Sequence, residues 1–379
     1  MVSPCDFHKA LTTEGVDFFV GVPDSLLREF CRYVDLVVTA DSHIISANEG
    51  TAIGLATGHN LATGGLPLVY MQNSGLGNAI NPLLSLADPE VYGIPMVLLV
   101  GWRGAPGVKD EPQHVKQGRV TLALLEALEF PYRVITGNTQ DAVEAAIWAC
   151  RTATEASSPV ILLAHKSVFD QPNGELLVSE TVPLASMSRE AALEIIISSL
   201  PSGTVIVATT GMISRELYEI RGRLKQDRSY DFLTVGSMGH ASQIALGISR
   251  SKPSSQVVCL DGDGAAIMHL GGMTTIGTTN VGNLLHIVLN NGAHDSVGGQ
   301  PTVALEMSLT GIARACGYDE VVGPLVNEHD IHEQISHLAN TVGQRFLELR
   351  VLPGSRKDLG RPQENPLANK LQLLGRLRG

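Results

Sequence analysis

The chain has 379 residues, 44% hydrophobic and 4% aromatic, with 39 glycines and a formal net charge of −11. That length and apolar content suffice for two or three domains with sizeable cores, and the glycines suit many tight strand–helix turns. The negative balance argues against nucleic acid or an anionic membrane surface as a partner, and no apolar run approaches the length of a membrane span.

The opening residues Met1-Val2-Ser3-Pro4-Cys5-Asp6 lack the charged and apolar regions of a signal peptide. The five cysteines (Cys5, Cys31, Cys150, Cys259 and Cys316) are scattered, with no CxxC. Reduced thiols in a cytoplasmic protein are the expectation.

Residues 1–168 alternate strand and helix. Apolar runs predict strands at 17–22, 43–47, 67–72, 96–101, 132–136 and 160–165. Most are continuous, as parallel strands buried on both faces require. Helices are predicted at 24–33, 49–61, 115–128 and 139–154. Residues 169–188 carry Gln171-Pro172-Asn173-Gly174 and Pro183 and break the pattern, which predicts a linker. Alternation restarts in 189–379, with strands at 205–209, 232–236, 256–260, 284–290 and 346–351. Helices are expected there at 189–200, 214–221, 241–249, 265–278 and 304–316. The basic, proline-bearing tail 352–379 is expected to wrap the surface. Two α/β domains, each a doubly wound parallel sheet, follow from this alternation.

Polar residues collect where predicted strands end. Glu49 follows the second strand, in Ser46-Ala47-Asn48-Glu49-Gly50. An acid in a first helical turn ordinarily stabilises the helix by about 0.3–1 kcal/mol. Here the preceding strand is apolar and Gly50, Gly54 and Gly58 follow, so a buried glutamate needs a further use. Asn73-Ser74-Gly75-Leu76-Gly77-Asn78 is either an ordinary turn or a backbone that meets a ligand. The loop from Gly101 to His114 is long and polar, and His114 is a candidate general acid or base, although a lone loop histidine is more often merely solvated.

The most specific pattern is Asp261-Gly262-Asp263-Gly264 after one strand and Asn290-Asn291 after the next. Asp263 and Asn291 lie 28 positions apart (291 − 263), about the length of a crossover between parallel strands. Both therefore reach the carboxyl edge of one sheet, where open α/β sheets bind ligands. A carboxylate and an amide oxygen are hard ligands for a cation such as Mg²⁺. Strand-end glycines let the backbone approach a diphosphate. A Rossmann dinucleotide site would need GxGxxG at the first turn, and Gly21-Val22-Pro23-Asp24 does not supply it.

With these residues the chain resembles the thiamine-diphosphate (ThDP) enzymes, whose cofactor motif Gly262-Asp263-Gly264 and Asn290-Asn291 match. The resemblance covers nearly the whole chain: a pyrimidine-binding domain, 1–168, and a diphosphate-binding domain, 189–379, of the ThDP-binding fold. The middle domain of many relatives has no room in 169–188. That points to the compact sulfopyruvate and phosphonopyruvate decarboxylases. Gly21-Val22-Pro23-Asp24-Ser25, the run from His294 to Thr302 and Pro353-Gly354-Ser355-Arg356-Lys357-Asp358 look most like the phosphonopyruvate family.

The resemblance implies ThDP and Mg²⁺ as cofactors and a small 2-oxoacid, 3-phosphonopyruvate, as substrate. Sulfopyruvate or another anionic 2-oxoacid is the alternative, and a non-catalytic ThDP-binding subunit is another. It implies that Glu49 protonates N1′ of the aminopyrimidine, the Gly236 carbonyl accepts from the 4′-amino group and Met238 props the bent cofactor. Asp263, Asn291 and the Ala293 carbonyl would be metal ligands. Gly211, Gly262, Gly264 and Ala265 would lie along the cofactor; the family often has Ser where Ala265 stands. Asp24, His114, His294 and Asp295 are candidate proton donors. Ser25, Arg103 and Lys109 are candidates for the phosphonate, with Arg350, Arg356 and Lys357 behind them. Sites in this superfamily form between subunits, so a homodimer or a larger homo-oligomer is expected.

Overall fold

Twelve strands and their helices build two six-stranded parallel sheets in the computed structural model, which describes residues 1–171 and 185–378. The chain divides into two compact units, Met1–Ser179 and Glu180–Gly379. In the first, β1 (Val16–Gly21), β2 (His43–Ile45), β3 (Leu66–Gln72), β4 (Met96–Gly101), β5 (Tyr132–Ile135) and β6 (Pro159–Ala164) take the order β2-β1-β3-β4-β6-β5. In the second, β7 (Val205–Ala208), β8 (Asp231–Leu233), β9 (Val257–Gly262), β10 (Asn283–Asn290), β11 (Glu320–Leu325) and β12 (Gly343–Arg350) take the order β11-β12-β10-β9-β7-β8.

The middle strands are buried on both faces, as their sequences require. MVLLVG of β4, PVILLA of β6 and NLLHIVLN of β10 are buried throughout. Helices pack on both sides, and each unit has two apolar clusters. Each fully buried Leu, Ile or Val contributes about 1.5–3 kcal/mol. Main-chain pairing is continuous: β10 meets β12 from Asn283↔Gly343 to Asn290↔Arg350 and meets β9 up to Leu289↔Gly262. This register brings the residues after Gly262 and Asn290 to one edge.

The helix expected at 24–33 starts instead at Arg28. Asp24 holds Leu26 N–H on its side chain and Leu27 N–H on its carbonyl, so residues 24–27 form a turn first. The helix expected at 265–278 is two short helices, Asp263–Met268 and Gly272–Thr278, parted at Gly271-Gly272. The helix expected at 304–316 begins at Leu309, capped by Ser308. Helices Pro4–Thr13 and Glu328–Asn340 and edge strand β11 carry no apolar run and were not anticipated.

Most of the expected linker 169–188 lies outside the described residues. Of its flanks, Phe169 is buried in the first unit and Met187 packs on the second. The tail ends in helix Pro366–Arg378, whose Asn369 amide bonds both Leu233 N–H and Asp231 C=O of β8. Among the described residues no helix is long and apolar enough to cross a membrane.

Candidate functional site

In the first unit, four loops leave the carboxyl ends of β1 to β4. Glu49 opens helix Glu49–Thr63, with Asn48 as N-cap accepting from Thr51 N–H. The Glu49 side chain is buried, 6% exposed, and its Oε2 accepts from Asn78 Nδ2 at 2.7 Å. A Cβ at Gly75 would overlap the Glu49 carboxylate, so the loop after β3 can close on the acid only with glycine there.

Beside it lies a second polar network. Asp24 is fully buried; Oδ2 accepts from Leu26 N–H at 3.0 Å, and Oδ1 has no partner among the described residues. Burial pushes the Asp24 carboxyl up to about 6, against the pull of Arg103. Arg103 grips Asp110 with Nε at 2.8 Å and Nη2 at 2.5 Å, while Nη1 donates to Ser25 Oγ at 2.8 Å. His114 Nδ1 lies 3.0 Å from Asp110 Oδ1. Burial works to raise Asp110, but bonds from Arg103, His114, Glu111 N–H and Gly104 N–H outweigh it and hold the carboxyl well below its usual range. Burial also lowers the pKa of His114, with Asp110 opposing. Asn73 ties β3 to this loop through Arg103 C=O and Thr121 Oγ1. Asp24, Ser25, Arg103 and His114 are thus one connected group, whereas Lys109 is exposed on the loop.

In the second unit, Asp263 and Asn291 meet. The Asp263 carboxylate is 2% exposed, and Thr302 Oγ1 donates to Oδ2 at 2.5 Å. Burial pushes this carboxyl up to about 6, opposed by the Thr302 hydroxyl and the Asn291 backbone. Burial outweighs these bonds, so a small divalent cation at this edge would favour the ionised form. Asn291 Oδ1 accepts from Ala293 N–H at 3.0 Å, and Nδ2 donates to Asp295 Oδ2 at 2.6 Å. Gly262 ends β9, and Gly264 and Ala265 lie in the first turn of the short helix that Asp263 opens.

Asp295 Oδ2 is the crowded oxygen of this loop. Besides Asn291 it takes Arg189 Nη1 at 2.6 Å and Gly354 N–H at about 3 Å. Arg189 in turn makes a bidentate pair with buried Glu216, at 2.8 and 2.9 Å. Through Oδ2, Asp295 ties Asn291 to Arg189. His294 sits over Gly264, where any Cβ would press on its Nδ1, and burial pushes its imidazole down to about 4. Gly211, at φ +100°, precedes helix Met212–Arg223 and lies against Ser296. Gly236 and Met238 flank Ser237, a non-glycine residue at φ +53°, a strained turn of the kind that gathers at ligand clamps.

Arg350 and Arg356 are committed to acids, to Glu348 and to Glu190, Glu219 and Asp358 respectively. Asn78, Asp110 and Thr302 lie in runs that the sequence singles out, but their partners, like the role of Arg189, were not legible there. Each acts through a partner 7 to 106 positions away, a separation that leaves no local pattern. Behind the second edge, Cys259, Asp261 and His286 cluster in the core, with His286 Nδ1 3.1 Å from Tyr318 OH.

Residues 6–124 match the family model for the thiamine pyrophosphate enzyme, N-terminal TPP binding domain, and residues 209–348 the one for the C-terminal TPP binding domain. Two curated proteins, the phosphonopyruvate decarboxylases of Streptomyces viridochromogenes and Streptomyces hygroscopicus, are each 37% identical, over 97% of this chain and 92% of theirs. The sulfopyruvate decarboxylase of Methanosarcina acetivorans is 30% identical over 80% of this chain and 79% of its own.

Proposed function

Because the chain belongs to the thiamine pyrophosphate enzymes, in the phosphonopyruvate decarboxylase family, we propose that it decarboxylates 3-phosphonopyruvate to phosphonoacetaldehyde and CO₂. The reaction is non-oxidative and depends on ThDP and Mg²⁺. Its place would be phosphonate biosynthesis, where loss of CO₂ pulls forward an unfavourable C–P bond-forming step. One observation supports the reading most: buried Asp263 against Asn291 at one sheet edge, and buried Glu49 at the other.

ThDP, when bound, supplies the electron sink for the carbanion left by CO₂. In this reading Asp263, the Asn291 amide oxygen and the Ala293 carbonyl would hold Mg²⁺, which would offset the charge of the diphosphate. Gly211, Gly262, Gly264 and Ala265 line the cofactor's anchoring end. Gly236 and Met238 orient its ring, and Glu49 holds a proton at N1′. Asp24, whose raised pKa keeps it partly protonated near neutrality, is the candidate proton donor toward the product. His114 and His294 are further candidates, both held toward the neutral form by burial, with Asp110 opposing at His114. Ser25 and Arg103 are the candidates for the phosphonate: Arg103 has Nε and Nη2 on Asp110 and Nη1 on Ser25, so the Ser25 hydroxyl and the second N–H of each Nη are what it could offer. Exposed Lys109 is the weaker candidate.

The active unit is proposed to be a homodimer or larger, with Glu49 of one chain serving the metal end of another. Mixing inactive Glu49→Gln and Asp263→Ala proteins tests this. Exchange of subunits should restore roughly a quarter of wild-type activity, since half the dimers then carry one intact site in two. No recovery after complete exchange contradicts the shared site. Incubation with ThDP, Mg²⁺ and phosphonopyruvate, following aldehyde, tests the substrate. Turnover of sulfopyruvate alone would favour the second reading, to which the 30% identical relative points.

A further inference from the structure

Gln300 is 4% exposed, and neither its side-chain nitrogen nor its oxygen finds a hydrogen-bond partner among the described residues. A buried polar group left unmatched destabilises the fold, so the fold alone gains nothing from an amide here. Leucine would fill nearly the same volume without that cost.

The position of the residue says what the amide is for. Its own carbonyl accepts from His294 N–H at 2.8 Å, and its neighbour Pro301 bridges Ala293. Two residues on, Thr302 donates to the Asp263 carboxylate at 2.5 Å and takes Gly292 C=O on its N–H. The loop 293–302 is therefore folded back on the start of helix Asp263–Met268, with His294 and Thr302 both against Gly264. Gln300 is the buried, unmatched side chain of this loop, and its backbone lies one residue from Pro301 and two from Thr302, which bonds Asp263.

We propose that the Gln300 amide binds a phosphorus oxyanion at this edge, its two N–H groups donating to P–O⁻. The oxyanion is the cofactor's diphosphate or the substrate's phosphonate, which share that chemistry. The inference rests on the proposed function and adds a ligand contact to it.

Gln300→Leu and Gln300→Glu test it. The apo Leu variant should melt at or above the wild-type temperature, because an unmatched amide has been removed. Calorimetric titration with ThDP and Mg²⁺, and separately with Mg²⁺ and inorganic pyrophosphate, reads the first source. A rise in Kd of about tenfold or more, about 1.4 kcal/mol, assigns the contact to the diphosphate. An unchanged Kd with KM for phosphonopyruvate raised about tenfold and kcat held assigns it to the substrate. In either case Glu should be worse than Leu, since it adds like charge. Unchanged Kd and unchanged KM in both variants overturns the proposal, and so does a Glu variant that matches wild type in both Kd and KM. Wild-type protein that binds ThDP yet turns over no 2-oxoacid would sink the decarboxylase reading while leaving the diphosphate measurement to decide Gln300.

Discussion

The two sheets follow the same path. Read from the other end, β8-β7-β9-β10-β12-β11 repeats β2-β1-β3-β4-β6-β5 strand for strand. Their carboxyl edges nevertheless carry different chemistry. The first edge holds Glu49 on Asn78 and Asp110 on Arg103 and His114, together with Asp24, a buried carboxyl with one oxygen unmatched among the described residues. The second holds Asp263, a carboxyl raised by burial despite bonds from the Thr302 hydroxyl and the Asn291 backbone, with the Asn291 side chain tied to Ala293 and Asp295. Topology supplies the place for a ligand, and a few strand-end side chains decide whether it is an anchor or a reagent.

The largest effect should come from the first edge. Glu49→Gln is expected to lower turnover by about 10²–10⁴, the range for losing a general acid–base group. Hydrogen–deuterium exchange at C2 of bound cofactor should slow with it. Exchange near the wild-type rate would remove Glu49 from that role and blur the contrast between the edges.

How much of this contrast was legible follows from where each signal sits. Asp263 and Asn291 were readable because a crossover of ordinary length fixes their separation and each ends a strongly apolar strand. Glu49 was readable from its isolation among apolar residues and glycines. The topology was less so: β11, EVVGPL, is a half-exposed edge strand without the apolar run that marked its neighbours. The partners were invisible. Asn78 is 29 positions from Glu49, and Arg189 is 106 from Asp295, so only the folded chain shows that Asp295 ties Asn291 to Arg189.

That tie gives the next prediction. Arg189→Met strands two acids, Glu216 and Asp295, which are 2% and 12% exposed. Breaking a buried pair from one side costs about 3–5 kcal/mol. Urea unfolding should show a loss of that size, whereas a cost near zero would mean that Asn291 is held by other contacts. At the second edge, Thr302→Val should weaken Mg²⁺ affinity by about 10–100-fold, the usual worth of a hydrogen bond to a ligating carboxylate. Titration of ThDP-loaded protein with Mg²⁺ measures it, and equal affinity would detach Thr302 from the site.

The smallest effect concerns Asp24. Folding raises its carboxyl from 3.8 to about 6, so the folded chain keeps a proton that the unfolded chain releases between those values. Stability from this group is therefore present at about pH 4 and lost as pH rises through about 6. Asp24→Asn should stabilise the apo protein on the order of 1 kcal/mol at pH 7–8, with the gain vanishing near pH 4. Thermal melts across that range check it; a gain independent of pH would point to packing instead of charge.

Cofactor binding to the two edge variants tests the division of labour most directly. Calorimetry of ThDP in the presence of Mg²⁺ should give Glu49→Gln an affinity within about tenfold of wild type, a difference below 1.4 kcal/mol. Asp263→Ala should show no Mg²⁺-dependent binding. Wild-type-like binding by Asp263→Ala, or loss of binding in Glu49→Gln, would contradict an anchoring second edge and a reactive first one.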